Sequence, residues 1–291
     1  MNDALAVDKR LVRRSFEETA ATYDAAAVLQ NEVCRRMLAR LDYIKLEPAL
    51  ILDAGSGTGN AVAGLLSRWP RARVIAVDLA LAMAQRARKR RPWWRRLLDR
   101  HGPRLAAVCG DIEQLPVAAG CAGMIWSNLA LQWVNEPQRA FAEMHRALAP
   151  GGLLLFSSFG PDTLKELRAS FQGVDRYTHV HRFVDMHDIG DRLVACGFAD
   201  PVMDMEVVTL TYDEVKALMR DLKAIGAHNV TRGRPANLAG KERLARVARN
   251  YEAFRRDGKL PATFEVLYGH AWKPAPRVSP TGRPVIDIKP R

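Results

Sequence analysis

The stretch that most constrains this chain is ILDAGSGTGN, residues 51–60, in which an apolar run ends in three alternating glycines. The residues before it are typical of a buried strand, and those after it, AVAGLLSRW, suit a helix. Because glycine lacks a Cβ atom, the backbone at Gly55, Gly57 and Gly59 can turn tightly and let a ligand approach closely. The segment predicts a strand, loop and helix whose loop binds a nucleotide-type ligand at the helix N-terminus.

The same alternation of short apolar strands and helical segments continues along the chain. We predict strands at 49–54, 72–78, 105–110, 122–128 and 151–159, with helices at 58–69, 80–91 and 137–148 between them. Such alternation is typical of a parallel sheet with helices on both faces. The predicted fold class is therefore α/β and Rossmann-like, with a mostly parallel sheet.

The two ends of the chain depart from this alternation. A single amphipathic helix is predicted over 8–43, so that residues 1–45 form a helical cap ahead of a domain at 46–273. Past residue 160 we predict helices at 161–171, 187–196 and 213–226, and strands at 202–212 and 263–272 that pair as an antiparallel edge. The basic stretch at 228–260 predicts an inserted helical lid. Five prolines in residues 273–291 predict a disordered tail over 274–291.

Charge and cysteine content limit the possible partners and the cellular compartment of the protein. The 291 residues carry a formal net charge of +12, which indicates an anionic partner without identifying it. The segment 86–104 holds nine Arg or Lys and two tryptophans, which suits nucleic acid, a membrane surface or a docking patch. The four cysteines form no C-x-x-C pair, and no apolar run approaches the ~18 residues that span a bilayer. We expect a cytoplasmic protein with reduced thiols and no membrane segment.

Polar side chains follow the predicted strands at the points where they end. Asp78 ends the second strand, where a carboxylate can accept hydrogen bonds from both hydroxyls of a ribose. Asp111 follows the third strand and can accept from an exocyclic adenine amine, while Ile112 packs on the ring. Asn128 ends the fourth strand. Because the carboxyl ends of parallel strands share one edge, these groups and the glycine loop predict a single ligand crevice.

A nicotinamide-dependent dehydrogenase would also use a glycine loop and a ribose-binding acid. That alternative explains Asp111 poorly, and the loop here is G-x-G-x-G rather than G-x-G-x-x-G. It would also need a catalytic domain with a His and acid pair, which the sequence does not obviously provide.

The four strand ends resemble those of class I S-adenosylmethionine-dependent methyltransferases, whose sheet has seven strands with the last one antiparallel. A closer resemblance comes from VRRSFEETAATYDAAAVLQ, NLALQWVNEP, FGPDTLKELR, HRFVDMHDIGDRLVACGFADPVMDME, TLTYDEVKALMRDLKAIGAHN and LPATFEVLYGHAW. Over residues 8–273 the chain is similar to the malonyl-acyl-carrier-protein O-methyltransferases of biotin synthesis, the BioC family. The resemblance implies a carboxyl O-methyltransferase acting on a malonyl thioester, with acyl carrier protein or malonyl-CoA as the partner.

The resemblance also implies roles for individual residues. The cofactor-binding residues would be Gln30, Asp53, Gly55, Gly57, Gly59, Asp78, Leu79, Met83, Asp111, Ile112, Asn128 and Leu129. Asp53 and the glycines would hold the methionine part, Leu79 and Met83 would pack near the adenine, and Asn128 with Leu129 would lie beside the sulfonium. The substrate-binding residues would be Tyr23, Lys223, His228, Asn229, Arg234 and the neighbouring Arg232.

The implied chemistry needs no general base, because an unperturbed carboxyl titrates near ~4 and is already ionised at neutral pH. It needs a cation that holds the carboxylate, and Arg234 matches the family pattern best. His179, His181, His187 and His228, with nearby aspartates, also invite a metal site, but their spacing matches no zinc pattern, and we predict no metal.

Three other functions remain open from the sequence. One is a methyltransferase-like assembly factor for respiratory complex I that hydroxylates arginine. Another is an RNA-binding methyltransferase that uses the basic stretch 86–104, although the N-P-P-Y type of strand end is missing. The third is a cofactor-binding protein without turnover. With the carboxyl methyltransferase as the main hypothesis, we expect no nucleic acid as a partner.

Overall fold

The computed structural model describes residues 6–91, 103–175, 177–227 and 240–275. In this part of the chain, strands that belong to one sheet are β1 (Leu50–Ala54), β2 (Arg73–Asp78), β3 (Leu105–Cys109), β4 (Ala122–Ser127), β5 (Leu148–Phe159), β6 (Ala199–Tyr212) and β7 (Leu260–Trp272). Their order across the sheet is β3-β2-β1-β4-β5-β7-β6. From β1 the chain adds β2 and β3 on one side of the sheet, and from β4 onwards it adds strands on the other side. The carboxyl ends of β1 and β4 therefore form the switch point at which ligands bind in open α/β sheets.

The pairing of the strands confirms the predicted mostly parallel sheet. β1 pairs in parallel with β2 and β4, β2 with β3, and β4 with β5. β7 runs antiparallel to both of its neighbours, β5 and β6. The two late strands therefore pair as predicted, but the last strand lies inside the sheet and β6 forms the edge.

Helices cover both faces of the sheet. They are α1 (Lys9–Thr19), α2 (Tyr23–Ala26), α3 (Val28–Arg40), α4 (Val62–Arg68), α5 (Leu81–Lys89), α6 (Pro137–Ala147), α7 (Lys165–Phe171), α8 (Met186–Ala195), α9 (Val215–Ala224) and α10 (Lys241–Glu252), with short 3-10 turns at Leu41–Tyr43 and Leu131–Trp133. This arrangement confirms the α/β, Rossmann-like class I methyltransferase fold that the sequence predicts.

The two hydrophobic cores follow from the alternation of side chains along the strands. Ile51 belongs to the core beneath α3, α4 and α7, whereas the next residue, Leu52, belongs to the core beneath α6 and α8. Met124 and Ile125 of β4 divide in the same way. Strands buried on both faces read as continuous apolar runs, which is why the pattern located them within a few residues.

The prediction of one helix over 8–43 is wrong, because the chain bends twice there. The backbone leaves the helix after Thr19, where the Thr19 hydroxyl donates to the carbonyl of Ser15, and again at Ala27 with ψ of 44°. Side-chain bonds of this kind compete with the helical backbone. Ala20 and Ala27 are almost fully buried at these bends, so the three helices wrap around the domain instead of projecting from it.

Part of the predicted lid and most of the predicted tail lie outside the described residues, as do residues 92–102 of the basic stretch. Of the lid, the structure describes α10, which is a packed helix. Val247 and Tyr251 of α10 are fully buried, and the Tyr251 hydroxyl donates to the carbonyl of Pro261 at 2.8 Å. The described end of this segment thus belongs to the hydrophobic core.

Candidate active site

The glycine loop joins β1 to α4 and is held against the end of β2. The backbone N–H groups of Gly55 and Ser56 both donate to the carbonyl of Val77, at 2.8 and 3.0 Å. Gly55, Gly57 and Gly59 have φ of +77°, +53° and +81°, a region that glycine enters without steric cost. The structure thus contains the tight turn that the sequence predicts, and this turn lies at the carboxyl edge of the sheet.

Two of the three glycines have no room for a side chain. A Cβ atom on Gly55 would lie 2.2 Å from the Cβ of Ala130, and one on Gly59 would lie 2.9 Å from the Cα of Ala87. Gly57 differs, since its nearest neighbour would be Tyr23 at 4.0 Å. Gly55 and Gly59 thus let the loop pack closely on the domain, and Gly57 opens towards the cavity.

Asp78 connects the end of β2 to the loop. Its carboxylate accepts from the N–H of Gly57 at 2.8 Å and from the N–H of Ala80 at 2.9 Å. Burial raises the pKa of Asp78 to about 6, although these two hydrogen bonds oppose the increase. The side chain lines the cavity and keeps lone pairs free for ligand hydroxyls.

Asp53 is a buried carboxyl to which none of the described residues donates a hydrogen bond. It is 2% exposed at the end of β1, and the described residues make no hydrogen bond to its side chain. Burial, and then the nearby charge of Asp78, raise the pKa of Asp53 to about 8. It borders a small second cavity with Gln30, Gly57 and Asn128. A buried carboxyl without a partner is costly unless a ligand supplies the donor.

Asp111 is already engaged by the N-terminal segment. The ammonium of Lys9 contacts the carboxylates of both Asp111 and Glu113. Glu113 in turn accepts from the backbone N–H groups of Asn135 and Glu136. Ile112 lies beside Asp111 in the cavity wall, as expected. No local sequence pattern indicated Lys9, because 102 residues separate it from Asp111.

The end of β4 presents a fixed amide and a strained backbone. The Asn128 amide donates to the carbonyl of Gln30 at 3.1 Å and accepts from the hydroxyl of Ser157 at 2.9 Å. Leu129 has φ of +48°, which is unfavourable for a residue with a side chain. Its N–H donates to the same Ser157 hydroxyl at 3.0 Å. Strain held by surrounding contacts is common at ligand sites.

One cavity of ≈ 780 Å³ joins these groups. The predicted residues in its wall are Tyr23, Gln30, Gly55, Gly57, Asp78, Leu79, Asp111, Ile112, Asn128, Leu129 and Lys223. Asp53, Gly59 and Met83 are not in this wall. Asp53 borders the second cavity, Gly59 packs on α5, and Met83 is buried in a cluster with Ala20 and Ala80. His228, Asn229, Arg232 and Arg234 lie outside the described residues.

The cavity extends beyond the strand ends into a second half that the sequence did not reveal. Its wall includes Phe159, Leu167, Phe171, Phe183, Leu210 and Phe264. We call this part the acceptor half. It is mostly apolar, with Tyr212, His179 and His181 among its few polar side chains. These residues come from distant segments, so no local pattern could have grouped them.

The N-terminal helices are attached to both halves of the cavity. The Glu17 carboxylate accepts from the N–H groups of Leu81 and Ala82 and so caps α5. The Ser15 hydroxyl donates to the carbonyl of Gly226, just past α9. Phe16 and Tyr23 form an edge contact at 6.3 Å and both line the cavity. Burial raises the pKa of the Tyr23 phenol, with Asp78 and Asp24 adding to the effect, so the phenol stays protonated.

These residues fit S-adenosylmethionine, the cofactor that the resemblance implies. The unsatisfied Asp53 carboxyl suits an ammonium group, and the Gly57 backbone leaves space for a ligand. The cofactor would be held by Asp53, Asp78 and the loop at one end and by Asp111 at the other. Among the residues that the structure describes, no group of three or more His, Cys, Asp or Glu side chains is arranged for a metal ion. Nor is any helix in the described ranges both long and apolar enough to cross a membrane.

The raised pKa of Asp53 predicts pH-dependent ligand binding. With a pKa of about 8, the free protein holds this carboxyl protonated at neutral pH, whereas an ammonium ligand binds the ionised form. We therefore expect affinity for S-adenosylmethionine to rise from about pH 6.5 to about pH 8, with protons released to the buffer. Calorimetry in two buffers of different ionisation enthalpy measures this release. Asp53→Asn should bind weakly and lose most of the slope; an unchanged slope would assign it to other groups.

Comparison with known proteins agrees with this geometry. Residues 52–156 match the family model described as a methyltransferase domain. Among solved structures, the YcgJ protein of Bacillus subtilis aligns with a TM-score of 0.56 at 15% identity, covering 84% of this chain and 98% of that one. The [4+2]-cyclase SpnF aligns with a TM-score of 0.52 at 18% identity, covering 84% and 82%. These likenesses establish the fold alone, and a fold hosts many reactions.

Sequence relatives are more specific. The chain is 57% identical to a malonyl-acyl-carrier-protein O-methyltransferase of Gallionella capsiferriformans over 96% of both chains. It is 58% identical to the enzyme of that name from Nitrosospira multiformis, over 94% of this chain and 92% of the relative. The one from Laribacter hongkongensis is 54% identical over 100% and 99%. The chain therefore belongs to the family of malonyl-acyl-carrier-protein O-methyltransferases.

Proposed function

We propose that this protein transfers the methyl group of S-adenosylmethionine to the free carboxylate of malonyl-acyl carrier protein, forming its methyl ester for biotin synthesis. The observation that carries this proposal is the extent of the similarity. Identity of 54–58% covers 94–100% of the chain, so it includes the N-terminal helices and the acceptor half as well as the common fold. Regions that distinguish one methyltransferase from another are therefore shared with relatives of this name.

The cofactor half supports the proposal through four strand ends. Asp53 would pair with the ammonium of the methionine part, against the loop of Gly55, Gly57 and Gly59. Asp78 would accept from the ribose hydroxyls, with Leu79 beside it. Asp111 and Ile112 would recognise the adenine edge. Asn128, Leu129 and Gln30 would lie nearest the sulfonium, where Leu129 is held with φ of +48°.

The chemistry requires positioning more than proton transfer. When bound, S-adenosylmethionine supplies an activated methyl group on a positively charged sulfur. One oxygen of the malonyl carboxylate attacks the methyl carbon, and the electron pair of the broken bond stays on sulfur. Because the carboxylate is ionised at neutral pH, no residue has to remove a proton. The apolar acceptor half would strip water from the oxygen and align it, with Tyr23 closing over the methyl group.

The acyl carrier would deliver the acceptor on a flexible arm, which we propose enters at the rim of the cavity. Val28 lines the cavity and is 64% exposed. Lys223 on α9 also lines it and is exposed. A cation at the rim suits a substrate that carries negative charge. The proposed partners are thus acyl carrier protein and, as a smaller carrier of the same group, malonyl-CoA.

A direct transfer assay tests the proposal. Incubation with methyl-labelled S-adenosylmethionine and malonyl-acyl carrier protein should place label on the malonyl group in a form that mild base hydrolyses. Malonyl-CoA, tRNA and an arginine-containing peptide serve as alternative acceptors, and acetyl-acyl carrier protein, which lacks the free carboxyl, is the matched control. Cofactor binding without transfer to either malonyl thioester would contradict the proposal. Transfer to tRNA alone would favour the nucleic-acid alternative.

A further inference from the structure

A partly buried charged cluster borders the acceptor half, apart from the residues that would hold the cofactor. It consists of Asp175, His179 and Arg243. Nε2 of His179 lies 2.8 Å from Oδ1 of Asp175, and Nη1 of Arg243 donates to Oδ2 of the same carboxylate at 3.0 Å. The side chains of Asp175 and His179 are each only 12% exposed. The side chain of Arg243 is 21% exposed, and withdrawing three ionisable groups largely from water is costly, so their arrangement calls for a reason.

The geometry fixes how His179 is presented. Its ring stacks on Phe171 with a centroid distance of 3.8 Å and an interplanar angle of 11°. Both rings line the cavity. Burial would raise the pKa of Asp175, but hydrogen bonds from His179 and from the N–H of Tyr177 outweigh it and lower this pKa. Because the carboxylate is ionised and accepts, Nε2 carries a proton, which leaves Nδ1 for a ligand.

Charge compensation within the cluster makes His179 suited to an anion. Arg243 balances Asp175, so protonation of His179 leaves one net positive charge at the cavity wall. Of the other cations that the structure describes in the wall, Lys9 already contacts Asp111 and Glu113, and Lys223 is exposed. His181 lies in the same wall, with its ring 5.4 Å from that of Trp133. A carboxylate entering an apolar chamber needs a fixed cation close by.

We propose that His179 binds the malonyl carboxylate through Nδ1, as an imidazolium that Asp175 and Arg243 hold in position. This inference rests on the proposed function and names the group that recognises the acceptor. One carboxylate oxygen accepts from Nδ1–H, and the other stays free to attack the methyl carbon. Asp175 and Arg243 act as positioning residues, because Asp175 contacts His179, Arg243 contacts Asp175, and neither lines the cavity. The cluster thus selects acceptors that carry a free carboxylate over neutral acyl groups.

Steady-state kinetics provide the first test. His179→Gln should raise KM for malonyl-acyl carrier protein about 10- to 100-fold, the loss expected for a hydrogen bond to a charged group. The Kd of S-adenosylmethionine should stay within about twofold. Asp175→Asn should raise the same KM less. The matched control is His187→Gln, because His187 forms a similar pair with Asp185 at 2.9 Å but is 84% exposed. Equal effects of His179→Gln and His187→Gln would overturn the inference.

Nitrogen NMR on histidine-labelled wild-type enzyme separates binding from a purely structural role. With S-adenosylhomocysteine present, malonyl-pantetheine should move both His179 ring nitrogens towards imidazolium positions. The methyl ester of malonyl-pantetheine, which lacks the charge, should not. If the wild type methylates malonyl-pantetheine while the His179 signals stay unmoved, the inference fails and the proposed function stands. If the wild type methylates no malonyl thioester, both fail.

Discussion

Replacing Gly55 with alanine should abolish tight cofactor binding and lower the free energy of unfolding by about 3 kcal/mol. The added Cβ would lie 2.2 Å from the Cβ of Ala130, and the residue would still need φ of +77°. The clash and the backbone strain each cost roughly 1 to 3 kcal/mol, and relief would require the loop to move away from β2. Chemical denaturation measures the stability, and calorimetry measures the affinity for S-adenosylmethionine.

Gly120→Ala is the matched control for this change. Gly120 has φ of +65°, but an added Cβ there would meet nothing within 4 Å. It therefore reports the cost of the left-handed backbone alone, about 1 kcal/mol, with cofactor affinity unchanged. If Gly55→Ala destabilised the protein no more than Gly120→Ala and still bound the cofactor, the close approach of loop and domain would not matter.

Asp78→Ala should weaken binding of S-adenosylmethionine about 100-fold. A hydrogen bond to a charged group contributes roughly 1.5 to 3 kcal/mol, and tenfold in affinity corresponds to about 1.4 kcal/mol. The substitution removes the ribose acceptor and also the two bonds that tie Gly57 and Ala80 to this carboxylate. Calorimetry at neutral pH gives the affinity, with Asp42→Ala as control, because Asp42 is exposed and pairs with Arg68 at the end of α4.

Ionisation of Asp78 should lower the stability of the protein, although the ionised carboxylate supports binding of the cofactor. Its pKa in the folded protein is about 6, above the ordinary value, so folding favours the protonated form. The contribution of this group to stability is therefore greatest at low pH and falls as pH rises through about 6. Asp78→Asn, which is always neutral, should flatten that part of the stability profile and bind the cofactor poorly. A steeper profile in Asp78→Asn would contradict the assignment of the raised pKa.

The cofactor half could be predicted from sequence because its signals are local. The glycine loop, Asp78, Asp111 and Asn128 each directly follow an apolar strand, and parallel strands bring such ends to one edge. The order of the strands, and the place of β7 inside the sheet, needed the structure. Local patterns also favoured a continuous N-terminal helix, whereas burial of Ala20 and Ala27 against the domain bends the chain there.

The acceptor half could not be predicted in the same way because its contacts join distant segments. Arg243 reaches Asp175 across 68 residues, and Ser15 reaches Gly226 across 211. The sequence places His179 among the candidate metal ligands, because a histidine near aspartates is compatible with several roles until its contacts are known. The ring of Phe171 stacked on His179 and the ion pair of Asp175 with Arg243 favour an anion-binding imidazole over a metal ligand or a loop brace.

The reversed direction of β7 has a consequence for how this protein can be altered. Tyr212 at the end of β6 lies opposite Leu260 at the start of β7, so the connection between these strands begins and ends at the same edge of the sheet. That edge also carries the cofactor groups. An excursion that begins and ends side by side can be lengthened, shortened or exchanged without shifting the register of any strand. Met219, Lys223 and Leu244 of this connection line the cavity, so changes within it would alter the cavity wall while the cofactor groups at the strand ends stay in place.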